Sequence, residues 1–234
     1  MQDFKDKIAL VTGASRGIGQ AIAIELGSRG AHVVCMARTV GGLEETDDKI
    51  KEVGGTATLI PADMTKFKEL DALGPTLSQK FDHLDIVVGN AGLANTLSPL
   101  THSDPSEWQN VMNINVTANF HLIRTLDPLL LAASHPRGVF VTTSKSLIEG
   151  RPYWGAYGVS KAALETLIKT YAAETRETNL RVNLISPGAV ATKMRAGVMP
   201  GENPETLPTP EETAQKFMPY LAESFDQTGQ VFQL

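Results

Sequence analysis

Short apolar runs alternate with stretches of helical periodicity along most of this chain, and that alternation restricts the fold more than any other feature. Residues 7–12 (KIALVT) are apolar in succession, as in a strand buried on both faces. Ile18, Ala21, Ile22 and Leu26 then recur at helical spacing. A second apolar run covers 32–37, an amphipathic segment covers 43–53 before Gly54-Gly55, and a third run covers 57–63. A helix is expected over about 65–81 and a fourth strand over 84–89. The second half repeats the pattern. A helix begins at Pro105 and runs through Trp108 and Val111 to Leu131, with Pro128 bending or ending it. A fifth strand at 139–143, a helix at 154–177, a sixth strand at 180–186 and a last helix at 211–221 follow, and VFQL at 231–234 reads as an edge strand. Strand and helix in strict alternation with short connections predict one α/β domain over 1–234, a doubly wound parallel sheet with helices on both faces.

Charge and cysteine usage bound the partners. The formal charge is −5, which gives no reason to expect nucleic acid or an anionic membrane. The single cysteine, Cys35, lies in an apolar run, cannot form an internal disulfide and reads as packing. No run approaches the eighteen or so apolar residues of a membrane span, and a reducing cytoplasm is the expected compartment.

Between the first strand and the first helix stands Thr12-Gly13-Ala14-Ser15-Arg16-Gly17-Ile18-Gly19. A tight glycine turn there lifts backbone N–H groups toward a pyrophosphate at a helix N-terminus. The spacing is G-x-x-x-G-x-G rather than the general G-x-G-x-x-G. After the second strand comes Ala37-Arg38-Thr39, where an acidic residue would select a ribose 2′-hydroxyl. Arg38 and Arg16 suit a 2′-phosphate instead, so NADP(H) is favoured over NAD(H); the alternative for Arg38 is a solvated charge. Asp63 can accept from an adenine amino group, cap the helix near Thr65, or do both. Asn90-Ala91-Gly92 ends the fourth strand, where small residues admit a cofactor and Asn90 can bridge strands. Asn115 sits mid-helix among apolar residues, which requires partners for its amide; Asn113 and Asn119 compete with it. Pro187, Gly188 and Thr192 follow the sixth strand.

Tyr157 and Lys161 are four residues apart on one helix face, thirteen residues after Ser144. A phenol of pKa ~10 is a poor base near neutrality. An ammonium ~5 Å away at an effective dielectric of ~20 favours the phenolate by about 3 kcal/mol, which brings the phenol toward working range. The serine hydroxyl can hold a substrate oxygen. In isolation the pair also reads as a surface lysine and a core tyrosine. Tyr153 is a decoy, since four residues beyond it stands Tyr157, and Lys145 beside the serine has no assigned effect.

T-G-x-x-x-G-x-G, Asp63, N-A-G, Asn115, Ser144, Y-x-x-x-K and P-G-x-x-x-T stand together in an order that resembles the short-chain dehydrogenase/reductase family, in its shorter single-domain branch, from about residue 7 to 192. The resemblance implies a Rossmann-like fold and an oxidoreductase moving hydride between a nicotinamide and a carbonyl or secondary alcohol. It implies Tyr157 as proton carrier, Lys161 as its partner and ribose ligand, Ser144 on the substrate oxygen and Asn115 steadying a water relay. Cofactor contacts are implied for Gly13, Ser15, Arg16, Gly17, Ile18, Gly19, Arg38, Asp63, Met64, Asn90, Ala91, Gly92, Pro187, Gly188, Val190 and Thr192. A homodimer or homotetramer joined through the helices holding Asn115 and Tyr157 is implied too, and no metal. The segment 193–210, which would form the substrate lid, is short and proline-rich. The competing reading is a non-catalytic NADP(H)-sensing or scaffolding protein, which would not need Ser144, Tyr157 and Lys161 together; an NAD-preferring enzyme of the same mechanism is a third.

Overall fold

A computed structural model describes residues 3–234. Strands β1 (Ile8–Thr12), β2 (His32–Ala37), β3 (Thr56–Pro61), β4 (Ile86–Gly89), β5 (Arg137–Val141), β6 (Arg181–Ser186) and β7 (Val231–Gln233) form one sheet in the order β3-β2-β1-β4-β5-β6-β7. Every neighbouring pair is parallel, including the edge strand β7 against β6. The helices are α1 (Gly17–Ser28), α2 (Val40–Glu52), α3 (Phe67–Asp71), α4 (Leu73–Leu77), α5 (Pro105–Met112), α6 (Ala118–Ala132), α7 (Lys145–Ile148), α8 (Gly155–Glu174), α9 (Lys193–Val198) and α10 (Pro210–Leu221).

The strand period of two divides the core between the faces of the sheet. Ala9, Val11, Val33, Cys35, Val88, Val139 and Ile185 share one cluster with Ile22 and Leu26 of α1 and Phe217 of α10. Leu10, Val34, Met36, Val87, Phe140 and Leu184 share the other with Leu122 and Leu126 of α6 and Leu164 and Ile168 of α8. Each fully buried side chain of this size contributes ~1.5–3 kcal/mol, so both layers are needed to hold the sheet. The doubly wound architecture expected from the alternation is the one observed. Strand order reverses between β1 and β4, which opens a crevice at their carboxyl ends, where open α/β sheets bind ligands.

Two of the expected long helices depart from expectation. The helix expected over 65–81 is two short ones, because Pro75 has no N–H to offer the Asp71 carbonyl. Thr125 Oγ1 takes over, donating to Asp71 O at 2.8 Å and accepting from Gly74 N–H at 3.0 Å. The helix over 105–131 contains a π turn at Asn113–Thr117, with Asp104 capping its start, and Pro128 does not end it before Ala132. The lid segment carries α9 and a 3₁₀ turn at Pro204–Thr206 instead of a continuous helix, as its prolines require.

Candidate active site

The glycine turn after β1 is built by close approach. Gly13 has φ +68°, and a Cβ there would lie 3.0 Å from the Ala91 Cα. A Cβ on Gly19 would lie 2.3 Å from Asn90 Nδ2. Only glycine fits at these positions, and the result is a seam that locks the turn against the end of β4. Asn90 Nδ2 donates to Thr12 O at 2.9 Å, so the amide does bridge the two strands. The Thr12 hydroxyl completes the seam, accepting from the N–H groups of Asn90 and Ala91 at 3.0 Å each. Thr46 of α2 donates to Ala14 O at 2.8 Å and holds the turn from the other side. Sequence reasoning placed Thr12 in the glycine motif without giving its hydroxyl a role and passed over Thr46; both side chains are fully buried. Arg16 is the N-cap of α1 in extended conformation, with no side-chain cap and no acid in the first turn. The helix therefore presents free N–H groups and the positive end of its dipole beside Ser15, Gly17 and Ile18.

Arg38 and Arg16 are both exposed, at the end of β2 and in the turn. Asp63 spends Oδ1 on the Thr65 N–H at 2.8 Å and the Thr65 hydroxyl at 2.9 Å. These bonds, and the charge of Arg38, hold its carboxyl below the usual range. It closes a turn at Thr65 and does not cap the following helix, which starts at Phe67 with Lys66 at the N-cap. Met64 beside it is buried.

Ser144, Tyr157 and Lys161 come from two elements that meet at the carboxyl end of β5. Ser144 is the N-cap of α7, directly after the strand, and its Oγ is 3.2 Å from Ser146 Oγ. Tyr157 lies in the first turn of α8, half-buried, with the buried Trp154 ring 5.8 Å away. Lys161 is 3% exposed, and its ammonium donates to Val141 O at 2.7 Å. Its Nζ is 5.8 Å from the centre of the Tyr157 ring. A Cβ on Gly92 would lie 3.3 Å from Asn115 Oδ1 and 3.6 Å from Lys161 Nζ, so the N-A-G turn, the π turn and α8 converge on one spot.

Charge at this spot runs differently from the expectation. Burial pushes the Tyr157 phenol above its ordinary value, against a smaller opposing hydrogen bond with Thr143. Burial also brings Lys161 down from 10.5 to about 8. The phenol is not lowered as the helical spacing alone implied, because burial, which disfavours the charged form of each group, is the largest influence on it.

Asn115 is fully buried, and its amide is spent on the protein. Oδ1 accepts from Leu93 N–H at 2.8 Å, while Nδ2 donates to Leu93 O and to Ser160 Oγ, each at 2.9 Å. Its carbonyl accepts from Asn119 Nδ2 at 2.9 Å, a bond confined to the π turn and the start of α6. Asn113 meets only Gln109 on the surface. Of the three asparagines, Asn115 is the one at the convergence. Tyr153 points outward, 57% exposed, with φ +73°. Lys145 is exposed and pairs with Glu149.

Pro187, Gly188 and Val190 lead from β6 toward the glycine turn, with Val190 buried and Gly188 at φ +72°. A Cβ on Gly17 would lie 3.5 Å from Thr192 Cγ2, so Thr192 sits over the turn, and its Oγ1 accepts from Arg195 N–H at 3.2 Å. The segment after Val190 closes on itself through Ala191 N–H to Pro208 O at 3.0 Å and the two-pronged Arg195–Glu202 pair. A cavity of about 340 Å³ opens between Thr192, Lys193, Met199 and Leu207. Among the described residues no helix is long and apolar enough to cross a membrane.

A doubly wound parallel sheet with a glycine turn after β1 and a Ser–Tyr–Lys group after β5 defines a dinucleotide-type oxidoreductase architecture. Residues 7–203 match the short chain dehydrogenase family, and the chain belongs to it. It is 35% identical over 231 residues to the uncharacterized oxidoreductase YciK of Escherichia coli K12, covering 97% of this chain and 91% of that one. A short chain dehydrogenase of Shigella flexneri 2a, solved in complex with NADP, superposes with a TM-score of 0.94 at 35% identity, over 100% of this chain and 99% of the other. One from Escherichia coli CFT073, in complex with NADPH, gives 0.92 at 35% identity, over 100% and 98%.

Proposed function

We propose that this protein is an NADP(H)-dependent oxidoreductase that interconverts a carbonyl compound and a secondary alcohol, with Tyr157 as general acid and base. The observation that supports the reading is the placement of Lys161 Nζ, 5.8 Å from the centre of the Tyr157 ring and beside the N-A-G turn at Gly92, with Ser144 at the N-cap of α7. The glycine cradle and uncapped α1 fit a pyrophosphate, held by Gly13, Ser15, Gly17, Ile18 and Gly19. Arg16 and Arg38 take a 2′-phosphate, and Asp63 and Met64 flank the adenine. Asn90, Ala91, Gly92 and Lys161 line the nicotinamide ribose, with Pro187, Gly188, Val190 and Thr192 around the carboxamide. When bound, the nicotinamide supplies or accepts the hydride.

In reduction, Ser144 orients the substrate oxygen and Tyr157 gives it a proton as negative charge develops there. A phenol raised by burial stays protonated through neutral pH, which suits the reducing direction. Lys161, which among the described residues donates to Val141 O alone, has donors left for ribose hydroxyls. Asn115 acts by holding Leu93 and Ser160, and so the wall of the site. The partly exposed Phe120 and Val159, on α6 and α8, support association into a dimer or tetramer across those helices. A panel of ketones and aldehydes with NADPH tests the function. Turnover of at least one is expected; tight NADPH binding with no turnover across the panel would turn the reading toward a cofactor sensor.

A further inference from the structure

Tyr157 is gripped by its own peptide groups. Its carbonyl oxygen accepts from Ser160 Oγ at 2.8 Å, and its N–H donates to Asn95 Oδ1 at 2.9 Å. Asn95 lies outside α8, in the loop that follows β4, and is 5% exposed. The N-cap of α8 is Trp154, whose side chain accepts nothing, so the first turn has no cap of its own. Asn95 supplies the missing acceptor across 62 residues of sequence, to the amide of the residue that bears the phenol. Its Nδ2 donates to Thr96 O at 2.7 Å, which fixes the oxygen as the atom facing Tyr157.

The loop that carries Asn95 is itself tied down on both sides. Leu93 makes two hydrogen bonds with the Asn115 amide. Thr96 donates its N–H and its hydroxyl to Glu107 Oε1 of α5, at 2.7 and 2.9 Å. The anchored loop thus reaches the Tyr157 N–H directly through the Asn95 side chain. From this geometry we infer that Asn95 is a positioning residue: it holds the backbone of Tyr157 to the loop beside the reacting atoms and thereby sets where the phenolic oxygen stands. The inference rests on the reading of Tyr157 as the proton carrier.

Three variants measured side by side test it: Asn95→Ala, Asn95→Asp and Tyr157→Phe. The readouts are kcat on the best ketone of the panel, the Kd for NADPH, and hydrogen exchange at the Tyr157 amide, which needs no substrate. Asn95→Ala is expected to lower kcat about tenfold or more, since small misplacements of a reacting group have effects of that order. It should leave the NADPH Kd within about twofold and speed exchange at the Tyr157 amide. Asn95→Asp keeps an acceptor oxygen in place and should recover most of the kcat and the protection, which a generic packing role would not predict. Wild-type kcat or unchanged amide protection in Asn95→Ala, with Tyr157→Phe inactive, would overturn the positioning role. So would an Asp variant as impaired as the Ala variant. Wild-type turnover in Tyr157→Phe would instead remove the underlying reading, a separate and distinguishable result.

Discussion

Lys161 stands with its ammonium nitrogen 5.8 Å from the centre of the Tyr157 ring while it donates a 2.7 Å hydrogen bond to the carbonyl of Val141. A buried cation is thus fixed between the end of β5 and the phenol with one protein acceptor. Burial brings its pKa from 10.5 to about 8. Below about pH 8 both folded and unfolded chains carry the proton, and the folded state bears the desolvation penalty in full. Between about 8 and 10.5 the unfolded chain keeps a proton that the folded chain has lost, so this group makes stability rise with pH. Replacing Lys161 by Met should stabilise the free protein at neutral pH by an amount on the order of 3 kcal/mol and abolish that rise. Urea unfolding of both proteins across this range measures it; parallel pH profiles would contradict it.

The proposed preference for NADP(H) rests on Arg38, which is exposed after β2 with no acidic residue in its place. The wild type should bind NADPH more tightly than NADH. Arg38→Asp should reduce or invert the preference, since a carboxylate repels the 2′-phosphate and accepts from a free ribose hydroxyl. Titration with both nucleotides checks this. Equal affinities unmoved by the substitution would show that Arg38 is a solvated charge.

Tyr153 holds φ +73° without being glycine, with its carbonyl accepting from Ser98 N–H at 3.4 Å. A bulky residue in this region is strained by about 1–3 kcal/mol. Tyr153→Gly should relieve the strain, less up to ~1 kcal/mol of added chain entropy. Its melting temperature should therefore rise by a few degrees, at roughly 2–4 °C per kcal/mol for a chain of this size. Tyr153→Phe keeps the backbone and should keep both stability and activity. A Gly variant that melts below wild type would mean that the ring stabilises the loop by more than the strain.

The sheet, most of its helices and the approach of Lys161 to Tyr157 were legible in the sequence because they rest on local periodicity and on glycines whose spacing has one mechanical meaning. The break at Pro75 had a local signal in Gly74-Pro75, which the helical pattern around it masked. The π turn at Asn113–Thr117 had none, since an extra residue in a helix leaves composition and period almost unchanged. Asn95 is a polar residue in a loop that carries no motif of its own at that position, and only the fold brings it to Tyr157. The direction of the phenol pKa failed for a related reason. Helical spacing gives the distance to Lys161 but says nothing of the burial both groups undergo.

The segment proposed as the substrate lid is tied by few interactions. No residue of α9 is buried, and the Arg195–Glu202 pair is about a quarter exposed at each partner, a setting in which ion pairs contribute ~0–1 kcal/mol. Residues 193–207 should exchange amide hydrogens rapidly in the free protein and slowly with NADPH and substrate bound. Full protection without ligand would contradict a lid that closes on its substrate.

Turnover by Tyr157→Phe, measured beside its affinity for NADPH, tests the central claim most directly. The substitution removes only the phenolic hydroxyl, so the fold and nucleotide site should survive and the NADPH Kd should stay close to wild type. Proton transfer to the nascent alkoxide should fail, with a loss in kcat of ~10²–10⁴-fold. A correctly folded Tyr157→Phe protein with wild-type turnover on a confirmed substrate would contradict the account, and Tyr157 would then be a packing residue beside some other acid.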